Sequence, residues 1–535
     1  MSPKTTFSAC YMCTANCPIT VVSDADEILS IDHPPCVRAE AMLEQRESPQ
    51  RVTTPRLRQT AAEPWRDVSW DEALALAAHR LLAVRDRHGP EPVVFAVGYT
   101  KEVRPYLRRL AQSFGSPHYV TESSCCFSSG FVAARVTLGS EYEYFLTPGR
   151  RRYSETKCRL VWSNNPAESQ LPYDRHHLLA DAAEVPTIAV DPRRTTLTEA
   201  ASIHLQLRPG TDGALALGLA HVIFEEGLQD QGFLDEFAHG LDAYRRYIKE
   251  FTPGKTSDVT GIPGEKIIAA ARLYATSDPA QITISPNATT HHSNGFQAHR
   301  AVLLLAAICG NLDVEASFDE RLEGSGLRFE DLPKDGSHRM VGSSPPRERK
   351  YLENGFGTPT GKIEFVSTAL ALAGHNGLPI FDEPSWSPVS APDIAKDFPL
   401  VLTSGGRSRN YTHSQGRMLT VLRDREPTPS LQIHPEDART RGIQEGLWVE
   451  VSSPLGTIEM QARVTDALSP GVVHAVHGWA GHNINELIPR DCLDPISGFP
   501  PFKSSLCQVR RTENPSAPIE AQNRRAHMPV GGDGA

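Results

Sequence analysis

Two periodicities of apolar residues divide the chain into regions with different predicted elements. The stretch WDEALALAAHRLLAVRDRH has apolar residues at helical spacing; it follows Ser69, a preferred N-cap residue, and ends before Gly89. A short buried strand, PVVFAVG, is predicted next. Between residue 158 and about residue 312, apolar runs alternate with helical stretches. Strands separated by helices predict a parallel sheet that binds ligands at the carboxyl ends of its strands.

The predicted strands of this region are CRLVWSNN, PTIAVDPR, HLQLRPG and AQITISPN, and its predicted helices are PYDRHHLLADAA, DGALALGLAHVIFEEG and AHRAVLLLAAICG. The pattern changes after residue 395, where short β-branched runs separated by turn residues predict a compact β-barrel. Residues 313–350 are polar and rich in Pro and Gly, which predicts a linker or a surface excursion, and the Pro-rich residues 378–395 predict a second linker. The polar tail from Thr512 is predicted to be disordered.

Length and charge limit the function classes. The 535 residues exceed what one hydrophobic core supports, so several domains are expected. The net charge is -10 and no Lys/Arg block occurs, which favours a small-molecule substrate and argues against nucleic acid or an acidic membrane as partner. No apolar run approaches the length of a membrane span. The first residues, MSPKTTFSAC, have neither an apolar signal core nor a twin-arginine pair, so a cytoplasmic location is predicted.

The cysteines concentrate near the N-terminus. Four of the ten, Cys10, Cys13, Cys17 and Cys36, have the spacing C-x2-C-x3-C-x18-C, with the β-like runs PITVVSD and EILSIDH between the last two. In a reducing compartment, clustered cysteines bind metal more often than each other. Three thiolates on a tight loop and a distant fourth suit a 4Fe-4S cluster. The alternative is a structural zinc site, although its usual form has two C-x2-C knuckles.

The segment CVRAEAMLEQRESPQRVTTPRLR resembles the molybdopterin oxidoreductase family, which includes formate dehydrogenases, nitrate reductases, dimethyl sulfoxide reductases and acetylene hydratase. In that family a basic residue and an S-P-x-R-L-x-x-P-like stretch follow the last cluster cysteine. The resemblance extends from Cys10 to about Arg511. It implies that Arg38 carries charge from the cluster toward a second cofactor. Ala39 stands where the family usually has Gly, a change that removes no ligand.

A second stretch, TESSCCFSSGFVAARVTLG, resembles the family segment that supplies the ligand of the catalytic metal. The family places this ligand about thirteen positions before a characteristic Gly, here Gly139, and the count gives Cys126. The resemblance therefore implies that Cys126 is the catalytic thiolate on molybdenum or tungsten. Without the resemblance, the ordinary interpretation is a buried structural cysteine, since Cys125 stands beside it and free cysteines are commonly buried.

Three loops resemble the pterin and nucleotide contacts of the family, in the same order: WSNNPAES, DPRRTTLTEAA and RPGTDGAL. The residues that they contribute are Asn164, Asn165, Glu168, Asp191, Arg193 and Asp212. The resemblance implies one or two molybdopterin guanine dinucleotides, with Asp191 on the guanosine and Arg193 near phosphate. Asp212 is expected at the guanine edge, because two acceptor oxygens match the paired donors of that base. Alone, each loop is an ordinary turn between a strand and a helix.

The C-terminal part resembles the family's final β domain, which covers the cofactors. The implied pterin or phosphate contacts are Arg407, His413, Ser414, Asn485 and Lys503. Without the resemblance, a single histidine such as His413 is more often a structural residue whose hydrogen bonds are satisfied within the protein. In TTHHSNG, the side chains of His291, His292 and Asn294 are candidates for the substrate funnel, and a surface loop is the equal alternative.

The predicted fold class is α/β multidomain, with an N-terminal 4Fe-4S module, parallel-sheet αβα dinucleotide-binding domains and a C-terminal β-barrel. The predicted divisions are a cluster domain at 1–51, a shortened first α/β half at 52–126, a pterin dinucleotide-binding domain at 127–315, a connecting segment at 316–395, the β-barrel at 396–511 and a tail at 512–535. Between Asn311 and Phe356 the family carries many more residues. This difference leaves the number of bound pterins, one or two, open.

These features predict a molybdenum or tungsten pterin oxidoreductase that passes electrons through the 4Fe-4S cluster to a partner protein or subunit. The protein would supply orientation and electrostatics to the cofactor's chemistry. One alternative is a non-redox hydratase or hydroxyl transferase of the acetylene hydratase kind, in which metal-bound water is activated. The other is a non-catalytic electron-relay subunit, which the shortened middle favours and the retained Cys126 disfavours.

Overall fold

A computed structural model describes residues 3–13, 17–25, 27–98, 103–139, 156–169, 182, 184–312, 351–406 and 408–512. Arg407, most of the predicted helix PYDRHHLLADAA, the 313–350 linker and the tail after Thr512 lie outside these residues. The described residues belong to two compact units. The first unit contains those of 1–43 and 129–515, and the second contains those of 44–128. The sixfold division of the sequence remains a prediction.

The strands are β1 (Lys4–Ala9), β2 (Pro18–Asp24), β3 (Glu27–Asp32), β4 (Arg56–Leu57), β5 (Arg66–Asp67), β6 (Phe95–Val97), β7 (Tyr119–Thr121), β8 (Cys158–Trp162), β9 (Thr187–Val190), β10 (Ile203–Leu205), β11 (Ala238–His239), β12 (Ala280–Ile284), β13 (Ile363–Glu364), β14 (Leu400–Ser404), β15 (Ser430–Ile433), β16 (Trp448–Ser453), β17 (Gly456–Val464), β18 (Val472–Ala475) and β19 (Ser505–Arg511).

The α-helices are α1 (Met42–Glu47), α2 (Trp70–His88), α3 (Arg104–Phe114), α4 (Ser128–Leu138), α5 (Pro166–Ser169), α6 (Thr196–Ala200), α7 (Asp212–Glu225), α8 (Gln231–Phe237), α9 (Leu241–Ile248), α10 (Pro253–Thr260), α11 (Gly264–Ala275), α12 (Pro286–Thr290), α13 (Gly295–Ile308), α14 (Tyr351–Asn354), α15 (Thr368–Leu372), α16 (Pro392–Asp397), α17 (Thr420–Arg423) and α18 (Pro435–Thr440). In the part of the chain covered by these elements, none is both long and apolar enough to cross a membrane.

A four-stranded parallel sheet forms the centre of the first unit, in the order β10-β9-β8-β12. All residues of β8 and β9 are buried, as expected for a parallel sheet with helices on both faces. Helix α13 is buried along its whole length, which explains its continuous apolar run. The alternation of strands and helices predicted from residue 158 onward is confirmed for the described elements.

The predicted barrel is also confirmed. Strands β14-β18-β15-β17-β16-β19 close on themselves, and β16 alternates between buried and partly exposed residues along its length. At the N-terminus, β1, β2 and β3 form an antiparallel sheet. Strands β2 and β3 match the two β-like runs of the sequence, whereas β1 was not predicted because KTTFSA has a single large apolar residue.

The second unit contains the predicted helix that starts after Ser69. The Ser69 hydroxyl accepts a hydrogen bond from the Glu72 amide at 3.1 Å, and Gly89 follows the last turn. Strands β6 and β7 pair in parallel. The prediction of a buried strand in PVVFAVG is wrong in part: Phe95 is buried, but Ala96 is exposed, because a two-stranded sheet cannot cover both of its faces.

Two glycines allow the end of α4 to meet the segment around residue 357. Gly139 has a φ of +81°, and a Cβ added there would lie 2.3 Å from the backbone nitrogen of Gly357.

We expect Gly139→Ala to lower the free energy of unfolding by about 3 kcal/mol, because the backbone must move and the left-handed region disfavours a side chain. Gly227→Ala is the control. It has a φ of +69° with no atom within 4 Å, and it should cost about 1 kcal/mol. Equal urea midpoints for the two variants would contradict the close packing.

Candidate functional site

The loop with the first three cysteines connects β1 to β2. The Cys10 amide donates to the Cys17 carbonyl at 2.8 Å, which holds the two ends of the loop together, and both cysteines are buried. Burial raises the pKa of the Cys17 thiol to about 11, and the neighbouring Cys13, Cys10 and Cys36 add to this shift. The four thiols are therefore close enough to repel one another as thiolates. A cationic metal centre among them would reverse the shift, since metals stabilise thiolates.

Among the residues that the structure describes, no three His, Cys, Asp or Glu side chains are grouped to hold one metal ion. The cysteines thus remain predicted ligands, and their shared neighbourhood is what the structure adds.

Arg38 connects the segment after Cys36 with two distant parts of the first unit. Its side chain is only 2% exposed. The guanidinium donates to the carbonyls of Ser408 and Arg409 at 2.8 and 3.0 Å, and to that of Glu168 at 3.1 Å. Arg38 therefore lies where the cysteine segment, the loop after β8 and the loop after β14 meet.

The loop after β8 contains the predicted residues Asn164, Asn165 and Glu168. Its backbone turns at Ser163, which has a φ of +48° and donates its amide to the Val190 carbonyl at 2.7 Å. Both polar atoms of the Asn165 side chain are buried, and within the described residues neither has a hydrogen-bond partner. Burying an amide without partners is costly. Asn165 is therefore suited to bind a polar ligand. The neighbouring Asn164 is partly exposed.

Asp191 and Arg193 follow β9 and lie beside the same loop. The Asp191 carboxylate accepts the Arg193 amide at 2.8 Å, and the Arg193 guanidinium forms an ion pair with Glu168 at 3.2 Å. Burial raises the pKa of the Asp191 carboxyl, and the charges of Arg193 and Lys503 oppose this shift. Glu168, Asp191 and Arg193 thus form one group at the carboxyl ends of neighbouring parallel strands, where ligands bind in such sheets.

Asp212, at the start of α7, is already engaged by a protein donor. The Trp162 indole donates to Asp212 Oδ1 at 2.7 Å, and both side chains are buried. Burial raises the pKa of Asp212 to about 6, and the hydrogen bond from Trp162 and the charge of Lys503 act in the opposite direction. Because Oδ1 already accepts the hydrogen bond from Trp162, the Asp212 carboxylate has less acceptor capacity for guanine than the sequence suggested.

The barrel contributes a cationic group to this region. The charge of Lys503 acts on Asp191, Asp212 and His474, and a Cβ added to Gly405 would lie 3.0 Å from Lys503 Cε. A Cβ on Gly406 would lie 2.5 Å from His474 Nε2 and 3.1 Å from Arg193 Cζ. The two glycines thus let the backbone approach the side chains of Lys503, His474 and Arg193 closely. Of these, Lys503 and Arg193 are cations, the kind of group that binds an anionic ligand.

His474 was not singled out from the sequence. It lies in the fully buried strand β18, and its Nε2 accepts the Gly406 amide at 2.9 Å. Burial and the neighbouring Arg193 hold the pKa of His474 well below its usual range, so the ring is neutral. The available signal was a histidine at a buried strand position in GVVHAVHGW.

The other predicted C-terminal residues differ in their surroundings. His413 has a φ of +55°, and its Nδ1 lies 3.0 Å from Nε2 of His477. The preceding Thr412 hydroxyl donates to the Met12 carbonyl in the cysteine loop at 2.8 Å. The side chains of Ser414 and Asn485 are exposed.

The TTHHSNG segment is largely structural. His292 is buried, with its ring nitrogens 2.8 Å from Ser504 Oγ and 3.0 Å from the Ala288 carbonyl. The Asn294 amide donates to the Gly210 and Asp382 carbonyls at 3.0 and 2.5 Å. The surface-loop alternative is wrong for these two residues because both are buried in the first unit.

Cys126 belongs to the second unit. It follows the 3-10 helix Glu122–Cys125, its amide donates to the Ser123 carbonyl at 3.2 Å, and its side chain is partly buried. An ion pair between Arg104 and Glu122 holds the 3-10 helix to α3. Cys125 is exposed, so the two adjacent thiols differ in their accessibility.

Two family models match the chain. The one described as molybdopterin oxidoreductase covers residues 51–331, and the one described as "Molydopterin dinucleotide binding domain" covers residues 400–506. The second match coincides with the barrel. A molybdopterin dinucleotide-binding domain indicates a molybdenum or tungsten pterin cofactor.

Curated relatives are similar over part or most of the chain. The molybdopterin-containing subunit of thiosulfate reductase from Salmonella typhimurium is 25% identical over 68% of this chain, and the match spans 51% of the relative. Acetylene hydratase from Syntrophotalea acetylenica is 21% identical over 77% of this chain and 82% of the relative. Formate dehydrogenase H from Escherichia coli is 28% identical over 49% of this chain and 37% of the relative. The chain therefore spans about half the length of the thiosulfate reductase subunit.

A solved structure of acetylene hydratase from Pelobacter acetylenicus has the same fold. The TM-score is 0.80 at 20% identity, with 95% of this chain and 100% of the other covered. This likeness confirms the predicted α/β architecture with its C-terminal barrel. The family model over 51–331 spans more than half of the chain and agrees with the loops identified in the sequence. The chain belongs to the molybdopterin oxidoreductase family.

Proposed function

We propose that the chain is a molybdenum or tungsten pterin oxidoreductase for a small-molecule substrate, with a 4Fe-4S cluster on Cys10, Cys13, Cys17 and Cys36 and the catalytic metal on Cys126. Electrons pass through the cluster to a partner protein or subunit. A cytoplasmic setting is part of the proposal, because clustered metal-binding thiols stay reduced in that compartment.

The environment of Arg38 carries this proposal. The guanidinium is buried, follows the fourth cysteine by two residues and donates to the Glu168 carbonyl at 3.1 Å. Glu168 in turn pairs with Arg193 and lies in the same loop as the partnerless Asn165 amide. A fixed positive charge between two redox centres stabilises an electron in transit. Arg38 thus connects the proposed cluster with the proposed pterin site.

The side chains that fit a pterin dinucleotide are one buried amide without a hydrogen-bond partner among the described residues and two cations. Asn165 would supply an amide to the pterin edge, and Arg193 and Lys503 would balance the pyrophosphate charge beside Gly405 and Gly406. When bound, the pterin metal supplies two-electron chemistry and the cluster one-electron transfer. The protein residues bind and orient the dinucleotide and keep water from the buried carboxyls of Asp191 and Asp212.

Elemental analysis of the full chain, purified without air, tests the proposal. We expect about four irons and one molybdenum or tungsten per chain, with released guanine nucleotide. Cys126→Ser should lose the catalytic metal or its activity and keep the irons, while the adjacent control Cys125→Ser keeps both. Iron without molybdenum or tungsten would replace the enzyme proposal with the electron-relay alternative.

A hydratase of the acetylene hydratase kind is the second candidate, favoured by the match to that relative over 77% of this chain. The two candidates differ in electron flow. An oxidoreductase reduces or oxidises an artificial viologen dye in the presence of substrate, whereas a hydratase converts an alkyne to its hydrated product without net electron transfer. Alkyne turnover with no dye reaction would reverse our preference.

A further inference from the structure

The two ring nitrogens of His474 have different surroundings. The residue lies in barrel strand β18 and is 3% exposed. Its Nε2 accepts the Gly406 amide at 2.9 Å. The other nitrogen, Nδ1, is buried and has no hydrogen-bond partner among the residues that the structure describes. Because a buried polar group without a partner costs free energy, a ligand atom that bonded to Nδ1 would be stabilised there.

The hydrogen bond from Gly406 determines which nitrogen of His474 carries the proton. A backbone amide can only donate, so Nε2 has a lone pair and no hydrogen. Burial and the charge of Arg193 hold the pKa of His474 well below its usual range, so the ring is neutral. A neutral imidazole has one N–H group. Nδ1 is therefore the donor, and it requires an acceptor.

The strand directs this donor away from the barrel core. Val473 and Ala475, on either side of His474, both belong to that core. Since successive side chains of a strand point to opposite faces, His474 points out of the barrel. A Cβ placed on Gly406 would lie 2.5 Å from His474 Nε2 and 3.1 Å from Arg193 Cζ, so the imidazole and the guanidinium are neighbours. The donor thus lies beside the loop that follows β9.

The groups around the His474 ring favour a negatively charged acceptor. After burial, the groups that lower the pKa of His474 are Arg193, His477 and Lys503, and each of them is a cation or can become one. Glu168 pairs with one end of the Arg193 guanidinium, which holds that cation in place. A phosphoryl oxygen is both an anion and a strong hydrogen-bond acceptor, so it matches the N–H group and the nearby cations together.

Gln432 is the acceptor that the protein itself could offer. The antiparallel register of β15 and β18 pairs Gln432 with His474. Its Oε1 is buried and, in the described part of the chain, also has no hydrogen-bond partner, so the two side chains do not bond to each other. A shift that joined them would satisfy both without a ligand. The two possibilities differ in whether His474 affects the binding of a phosphorylated compound.

We propose that His474 binds a phosphoryl oxygen of the pterin dinucleotide by donating from Nδ1, while its Nε2 accepts the Gly406 amide. The inference rests on the proposed function, because that dinucleotide supplies the phosphoryl group. Gly406 and His474 act as a pair. The glycine amide sets the tautomer of the ring, and the ring then presents its single donor to the ligand.

Calorimetric titration with GDP and with guanosine tests this contact. GDP carries a guanosine and two phosphoryl groups, and guanosine lacks the phosphoryl groups. The full chain is made in cells that do not synthesise the pterin. We expect His474→Gln to weaken GDP binding about tenfold, the loss of one hydrogen bond to a charged group, and to leave guanosine binding unchanged. His474→Asn should bind GDP as tightly as the wild type, because the Asn amide nitrogen takes the place of Nδ1.

A purely structural role for His474 predicts the opposite order of the two variants. Gln places an acceptor near the position of Nε2 and can still accept the Gly406 amide, whereas Asn cannot. Tighter GDP binding by His474→Gln than by His474→Asn would therefore overturn the proposal. So would unchanged GDP binding in His474→Gln, which would return Nδ1 to Gln432.

Two further measurements separate the remaining explanations. His482→Gln is the matched control, since His482 is also 3% exposed and follows β18, and it should bind GDP like the wild type. In the wild-type chain, the nuclear magnetic resonance signal of the His474 Nδ1 proton should shift on addition of GDP and not of guanosine, a test that does not depend on a variant folding. A wild-type chain that binds neither compound would overturn the dinucleotide site itself, so that failure is distinguishable from failure of the His474 contact.

Discussion

Cys17→Ala is expected to purify with almost no iron, whereas the wild-type chain is expected to carry the proposed cluster with about four irons. Cys17 is buried at the start of β2, and its carbonyl closes the loop by accepting the Cys10 amide. In the proposed ligand set of four thiolates, removing one leaves a coordination site that no neighbouring cysteine can fill, because the other three already bind the cluster. Iron analysis and the visible absorption of the cluster measure the loss.

Cys507→Ala is the matched control for this experiment. Cys507 is also a buried cysteine, but it lies on barrel strand β19. It should retain the full iron content and lose only stability from the smaller side chain. Equal iron in the two variants would remove Cys17 from the ligand set and return the zinc and structural interpretations to consideration.

The second large effect is a loss of stability on acidification. Burial lowers the pKa of His292 and of His299 to about 3, and Lys503 adds to the shift at His292. Both folded-state pKa values lie below the unfolded value of 6.5, so between pH 6.5 and 3 the unfolded chain binds more protons. The free energy of unfolding should therefore fall as pH falls through this window, by up to about 5 kcal/mol for each histidine.

A buried carboxyl opposes this trend. The pKa of Asp212 is raised to about 6, so its folded state holds a proton that the unfolded chain releases, and stability from this group rises as pH falls below 6. Its contribution is about 3 kcal/mol, which is smaller than that of the two histidines. The net direction is a loss at acidic pH.

Urea midpoints of the full chain between pH 7 and 5 measure the slope. His299→Gln removes one titrating ring from the core, where it lies 2.7 Å from the Thr289 hydroxyl, and should flatten the profile. His79→Gln removes an exposed histidine on α2 and should leave the profile unchanged. A profile as steep in His299→Gln as in the wild type would show that the buried histidine does not govern the acid sensitivity.

The sequence predicted the elements whose burial is regular. Strands β8 and β9 are buried on both faces, so their runs are continuously apolar, and α2 has a Ser cap and a terminal Gly that mark its ends. The order of the αβ elements and the closed barrel followed from such local patterns. Strand β1 was missed because its pairing with β2, rather than its composition, makes it a strand.

Contacts between distant segments were beyond local patterns. The Trp162 indole donates to Asp212, which lies 50 residues further along the chain. Neither WSNNPAES nor RPGTDGAL predicts that hydrogen bond. His474 accepts the Gly406 amide, and the two residues are 68 positions apart. The apolar neighbours of His474 in its strand predict only that the histidine is buried. The resemblance identified loops. The structure shows which side chains in them form hydrogen bonds within the protein and which, like Asn165, have no hydrogen-bond partner among the described residues.

The acceptors of Arg38 also have a consequence for biosynthesis. The guanidinium donates to the Arg409 carbonyl, 371 positions further along the chain. A ribosome releases the N-terminal cysteines long before it has made residue 409, so the segment after Cys36 cannot reach its final surroundings during most of translation. Loading of the proposed cluster would therefore follow synthesis of the barrel if it requires those surroundings. In a truncated chain that ends before the barrel, Arg38 would lack the carbonyl acceptors of Ser408 and Arg409. Such a chain is a poor substitute for the full chain in a study of the cysteines.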